Sequence, residues 1–293
     1  MLFMRRHRAA EARLTRQAMA DPTHSVGAPS VAQTGIVQNE SNRFALQYSG
    51  QFVLGPRFVP GLPQWNQYSI GPGLFLSAHP ELSVMRCTEG ERSLTLLGYI
   101  LSPDNPNATN TDILRGLLRA ATSIQELTEK TFHLGGRWLL IARDGQERYL
   151  FNDTMGLRQA FYSDPSRFEG GVWVMSQPGL AAKCFDAKLD PSALDYRQWR
   201  LNQGGAEYMW PGSASPVCGL RHLLPNHYLD LNTARCQRFW PTRTLTPIAF
   251  DSAVNHLAQR LPQLMRAVAN RFDIALGITA GIDSRLVLAA SRS

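Results

Sequence analysis

The run Leu276-Gly277-Ile278-Thr279-Ala280-Gly281-Ile282-Asp283-Ser284-Arg285 carries the clearest chemical potential in the chain. An apolar stretch ends in a turn of small residues, and a second apolar stretch, Leu286 to Ala290, follows. A strand, a small-residue loop and a helix N-terminus together make an anion site. Backbone N–H groups can approach a phosphate there, and the helix dipole favours negative charge. Thr279 and Ser284 add hydroxyls, and Asp283 adds a carboxylate. A Walker loop needs Gly-Lys-Ser or Gly-Lys-Thr, and neither triplet occurs. The same residues also describe an ordinary strand–turn–helix connection, with Gly281 in the turn and Ser284 capping the helix.

That turn needs a strand over 273–278 and a helix before it. Phe250, Val254, Leu257, Leu261, Leu264 and Val268 recur at helical spacing on one face. Pro262 should kink this helix. Upstream the pattern is β-rich. Residues 44–48, 73–77, 82–86 and 94–100 read as strands split by Gly and Pro. Residues 111–121 read as a helix with Ile113, Leu114, Leu117 and Leu118 on one face, and 124–130 as a second. Residues 135–145 and 148–153 read as a hairpin closed at Asp144-Gly145. Two more strands are expected over 156–163 and 171–176, then a helix over 178–184. Asp190-Pro191 has helix-start grammar. Residues 219–231 read as strand, turn, strand.

Composition narrows the function classes. The 293 residues suffice for one large or two ordinary domains. No apolar run approaches the roughly 18–20 residues of a membrane helix, so a soluble protein without membrane partners is expected. The net charge is +7, yet the basic residues beyond the N-terminus are scattered, which argues against nucleic-acid binding. Cys87, Cys184, Cys218 and Cys236 lack Cys-x-x-Cys spacing and are too few for a disulfide framework; a reduced, cytoplasmic protein is expected. No His/Cys cluster suggests zinc, and His133 and His256 read as surface or packing residues. Residues 1–40 hold Arg5, Arg6, Arg8, Arg13 and Arg16 in an Ala-rich stretch. A short basic helix within a disordered tail is the expectation there.

Thr279-Ala280-Gly281-Ile282-Asp283-Ser284 resembles the pyrophosphate-binding Ser-Gly-Gly-x-Asp-Ser loop of the ATP-pyrophosphatase superfamily, in its asparagine synthetase branch. The upstream order supports the likeness. Gly135 to Asp144, Asp153 to Tyr162 (with Arg158) and Val172 to Ser176 resemble successive segments of a class II glutamine amidotransferase domain. Asn152-Asp153-Thr154-Met155-Gly156 matches only in part the Arg-Asp-Pro-Leu-Gly usual there. Gly219 to Leu231 and Arg238-Phe239-Trp240-Pro241 look like the linker of asparagine synthetases, with Asn226 where Gly is usual.

The resemblance implies an α+β chain. An Ntn-type αββα sandwich, degenerate as a glutaminase, precedes the truncated start of an α/β adenine-nucleotide α-hydrolase-like domain. The implied divisions are a basic tail (1–40), an amidotransferase-like domain (41–188), a linker (189–247) and the beginning of an ATP-binding domain (248–293). The implied chemistry is ATP-dependent activation of a carboxylate, with ATP and Mg2+ as cofactors and a small-molecule or peptide carboxylate as substrate. Excess positive charge would help attract ATP. Thr279, Ala280, Gly281, Ile282, Asp283 and Ser284 would hold the pyrophosphate, Asp283 near the magnesium.

Two departures matter. A working glutaminase of this class uses an N-terminal Cys with a free amine. Here residue 2 is Leu2, and the glutamine-binding Asn-Gly-Glu strand end is replaced by Leu97-Gly98-Tyr99-Ile100. Cys87 reads as a small buried hydrophobe. No glutamine hydrolysis is expected, and no catalytic residue is assigned. The chain also stops at Ser293, soon after the loop, so the chain alone should show little or no ATP–pyrophosphate exchange. Relatives that form amides within one molecule, such as β-lactam synthetases and lasso-peptide cyclases, also lack the N-terminal Cys. That alternative stays open, as does a non-catalytic interaction module.

Overall fold

The computed structural model describes residues 2–6, 48–62, 64–204 and 210–292. Most of the expected tail and of the strand over 44–48 lies outside the described residues. The fold is α+β, built on two antiparallel six-stranded sheets.

The strands of the sandwich are β2 (Phe52–Gly55), β3 (Asn66–Gly71), β4 (Leu74–Ala78), β5 (Val84–Glu89), β6 (Arg92–Leu101), β7 (Gly135–Asp144), β8 (Glu147–Asn152), β9 (Phe161–Ser163), β10 (Val174–Met175), β11 (Leu220–His222), β12 (His227–Asp230) and β13 (Cys236–Arg238). They follow β1 (Leu2–Arg6). One sheet runs β11-β9-β10-β2-β4-β3, the other β13-β12-β8-β7-β6-β5. The helices are α1 (Asn110–Ala120), α2 (Ile124–Thr131), α3 (Pro178–Phe185) and α4 (Pro191–Asn202), followed by α5 (Phe250–Ala269) and α6 (Ile282–Ala290).

Period-two alternation divides each central strand between two cores. In β7, Leu139 and Ile141, with Leu97 of the neighbouring β6, face the other sheet, where Phe52, Leu54, Leu76 and Val174 meet them. Trp138 and Leu140 face α1 and α2 with Leu94, Leu96, Leu114 and Leu118. The other sheet turns Val53, Trp173 and Met175 outward onto Leu180 and Ala181 of α3. Helix, sheet, sheet and helix therefore stack as four layers, each burying the apolar face of its neighbour. The amphipathic face foreseen for α1 is the buried one. A Thr109–Asp112 capping box starts that helix, and the Thr109 hydroxyl and amide hold the Asp112 carboxyl below the usual range.

Several expectations are corrected. Residues 156–160 form no strand: the Asp153 carboxylate accepts the amides of Met155, Leu157 and Arg158, so these donors never reach a ladder. Only Phe161–Ser163 and Val174–Met175 pair. The strand, turn, strand expected over 219–231 does form, as β11 and β12. β11 pairs with β9, and β12 with β8, so both sheets gain a strand that covers an otherwise open edge. Asn226 turns between them at φ 62°, a conformation Asn tolerates better than most residues.

Residues 2–6, expected in the basic tail, form β1 and pair antiparallel with β14 (Phe272–Leu276), Leu2 opposite Leu276. β14 therefore has β1 as a sheet partner. The C-terminal unit docks on the end of β6: Leu101, Ala267, Val268 and Phe272 share one small core. The apolar face foreseen for α5 is buried only near its C-terminus. Phe250, Val254 and Leu257 are exposed.

Candidate functional site

The six residues singled out in the sequence lie together in the turn from β14 into α6. Gly281 sits at the helix N-cap with extended backbone, φ −70° and ψ 152°, and no side chain caps the first turn. Its conformation does not demand glycine. A Cβ there would meet the Thr279 hydroxyl at 3.3 Å. Thr279, Ala280, Gly281, Ile282 and Asp283 are exposed and Ser284 half-buried.

Hydroxyls brace the turn. Ser284 Oγ accepts the Thr279 amide at 3.1 Å and stands 3.1 Å from Thr279 Oγ1. Thr279 Oγ1 accepts the Gly281 amide at 3.2 Å. Two loop amides are therefore donated inside the loop. The first-turn amides of Ile282, Asp283 and Ser284 have no side-chain cap. Ser284 serves as a brace across the turn, not as the helix cap. Sequence reasoning missed Arg285, yet its Nη2 donates to Ala280 O at 3.1 Å and its Nε to Gly281 O at 3.4 Å. A guanidinium is thereby held beside the turn. An arginine directly after an Asp-Ser pair was the available signal.

The second constellation lies at the strand end that replaces Asn-Gly-Glu. Gly98 has φ +105°, which L side chains rarely adopt, and a Cβ there would collide with the Arg137 carbonyl oxygen. Its N–H donates to Ser83 O at 2.8 Å. The same imagined Cβ would stand 3.3 Å from Arg158 Nη2. Arg158 Nη1 donates to Gly50 O at 2.9 Å. Burial, with Arg137 adding repulsion, brings the Arg158 pKa down to about 10. Tyr99 lies beside both arginines, its phenol pushed up chiefly by burial. Its ring packs edge-on against Phe272 at 4.9 Å, and Arg271 Nη2 donates to Asn110 Oδ1 at 2.6 Å. This strand end therefore touches the unit that carries the small-residue turn.

Cys87 is buried in β5 among Leu94, Leu96 and Leu114, as a small hydrophobe. His133 lies 3.4 Å from Asp104, and His256 is exposed. Among the described residues, no group of three or more His, Cys, Asp or Glu could hold a metal ion. A cavity of about 680 Å3, lined by Arg167, Asp190, Tyr196, Trp210 and Arg221, lies elsewhere and includes no residue of either constellation. No described helix is long and apolar enough to cross a membrane.

No protein-family model matches the chain, and no curated protein matches it. Among solved structures, the glutamine phosphoribosylpyrophosphate (PRPP) amidotransferase from B. subtilis, complexed with ADP and GMP, is similar over 58% of this chain and 36% of that one. The identity is 12% and the TM-score 0.32, so the likeness carries no argument about this chain. The chain spans little more than a third of that protein.

Proposed function

We propose that this chain belongs to an ATP-dependent amide-forming system of the asparagine synthetase type. An Ntn-type sandwich without glutaminase activity supports the diphosphate-binding turn at 279–284. The observation that carries this reading is the first turn of α6. It is entered through small residues, left uncapped by any side chain, and flanked by the Thr279 and Ser284 hydroxyls. Such a helix N-terminus favours an anion through its oriented N–H groups and its dipole.

The donors of the turn suit a diphosphate in polarity. Ile282, Asp283 and Ser284 would present backbone N–H groups, Thr279 and Ser284 their hydroxyls, and Arg285 a fixed positive charge. ATP, when bound, supplies a leaving diphosphate and so activates a carboxylate on a small molecule or peptide. Asp283 is the acid in the turn, so Mg2+ would be held mainly by phosphate oxygens with this one carboxylate nearby. Charge developing on the leaving group would be met by donors already in place.

The Gly98 strand end favours one branch of this reading. Its amide is spent on Ser83, and Arg158 fills the space beside it. The nitrogen would then come from free ammonia or from the substrate itself, as in relatives that close amides within one molecule. Four free cysteines fit a reducing cytoplasmic setting.

Calorimetric titration of magnesium diphosphate into the purified chain tests the reading. Saturable binding that weakens in Ser284→Ala supports it. Absence of binding, or identical binding by the variant, rejects it.

A further inference from the structure

The alternation that buries Leu139 and Ile141 between the sheets puts Arg143 on the same inward face of β7. Leu150 places Arg148 likewise in β8, and Val84 places Arg86 in β5. At the end of the sheet away from Gly98, the inter-sheet core therefore gives way to arginines. Arg143 and Arg148 stand directly opposite each other across β7 and β8. Like charges in that position repel. The turn between β3 and β4 reaches over both. A Cβ on Gly71 would meet Arg143 Cδ at 3.2 Å, and one on Gly73 would lie 4.0 Å from Arg148 Nη1. Arg143 Nε donates to Gly145 O at 3.0 Å, and Arg148 Nε is buried without a partner. Among the described residues, the Nη nitrogens of both donate no hydrogen bond and no ion pair holds either side chain. Glu91 lies beside Gly145 without pairing with them, and Asp144 pairs with Arg92. Arg86 donates to Ser69 O at 3.2 Å; burial and then repulsion from Arg143 lower its pKa.

We propose that Arg143 and Arg148, flanked by Arg86, bind a phosphate group beside the Gly71–Gly73 turn. Two guanidinium forks on adjacent strands can present their N–H donors to one tetrahedral oxyanion. The sealed Arg148 Nε takes no part; the Nη nitrogens make the contact. A dianion between the facing arginines offsets their repulsion more fully than one carboxylate would. Gly71 leaves room for the Arg143 stem to pass beneath the turn. The site belongs to the sandwich and is independent of the diphosphate reading of the 279–284 turn.

The test is a calorimetric titration of inorganic phosphate into the purified chain without magnesium, with ionic strength held constant by chloride. Methyl phosphate and acetate are titrated in parallel. Saturable phosphate binding is expected, weakened by roughly tenfold or more in Arg143→Met and in Arg148→Met. Methionine keeps much of the apolar stem of arginine, so packing beneath the turn is largely retained. Ser284→Ala should bind phosphate as the unaltered chain does. Methyl phosphate binding at least as tightly as phosphate identifies a phosphate ester as the ligand, and weaker binding identifies the free ion. If Arg143→Met does not fold, Arg148→Met decides the matter; if neither folds, Arg86→Met decides it, with a smaller loss expected. The proposal is overturned if phosphate does not saturate or the arginine variants bind it undiminished. Acetate binding as tight as phosphate, or loss of phosphate binding in Ser284→Ala, overturns it equally.

Discussion

The hydroxyl oxygens of Thr279 and Ser284 stand 3.1 Å apart and tie the exit of β14 to the first turn of α6. Ser284 Oγ also lies 3.1 Å from the carbonyl oxygens of Thr279 and Gly281. One side chain therefore sets the curvature of the turn. Ser284→Ala should weaken magnesium diphosphate binding by about tenfold, the loss of one charge-assisted hydrogen bond. Global stability should fall by no more than about 1 kcal/mol, because the bonds are exposed. Calorimetry and urea unfolding separate the two effects.

Glutamine should not be hydrolysed. The Gly98 amide is committed to Ser83 O, and Arg158 lies over the strand end. Incubating the purified chain with glutamine should release no glutamate above a buffer control, and Cys87→Ala should change nothing. Enzymatic glutamate release by the unaltered chain would contradict the reading.

Asp153 should be the most sensitive polar position in the sandwich. Its carboxylate is buried and receives four amides. Asp153→Ala would leave several buried donors unmatched, each costing about 1–3 kcal/mol. A total loss above about 3 kcal/mol is expected in urea unfolding. A loss under about 1 kcal/mol would show that the loop re-forms its bonds elsewhere.

Tyr162 should make the protein sensitive to alkali. Burial, with Cys236 adding to it, pushes this phenol up to about 12. An unfolded chain loses the proton near 10 while the folded chain keeps it. A raised folded value means stability is intact below about pH 10 and declines as pH rises through about 12. By about pH 11 the loss attributable to this residue is about 1 kcal/mol. Tyr162→Phe should lack it, so the stability difference between the variant and the unaltered chain should shift toward the variant between about pH 9 and 11. The subtraction also removes the opposing contribution of Arg158, whose lowered value lies in the same range. A difference that stays constant over that interval would refute the assignment.

The face of α5 divides into two energetic zones. Val254→Glu and Leu257→Glu should change stability by less than about 0.5 kcal/mol, since both residues are exposed. Val268→Glu should cost more than about 3 kcal/mol, because Val268 is buried against Leu101 and Phe272. Equal costs at all three positions would show that the exposed part of the face is covered in solution.

Periodicity made much of this architecture legible. The burial of Ile113, Leu114, Leu117 and Leu118 and the β7–β8 hairpin followed from spacing and turn residues. What local pattern could not reveal was long-range. Nothing near residue 220 states that Leu220–His222 will pair with Phe161–Ser163, nor does anything near Leu2 point to Leu276. The irregular stretch after Asp153 was hidden for another reason. Its residues look strand-like, and one carboxylate outcompetes the ladder for their amides. The small-residue turn was legible because its chemistry is contiguous. Arg158 beside Gly98 was not, because the two are far apart in sequence and only the closed sandwich brings them together.

The edge pairings of β11 and β12 bear on how the molecule can be dissected. A fragment cut at residue 188 would strip β9 and β8 of their outer neighbours and leave two raw ladders facing water, an invitation to fibrous association. The shortest autonomous piece should therefore extend at least through Arg238. A boundary drawn by likeness to modular relatives would sever the very strands that seal the sandwich.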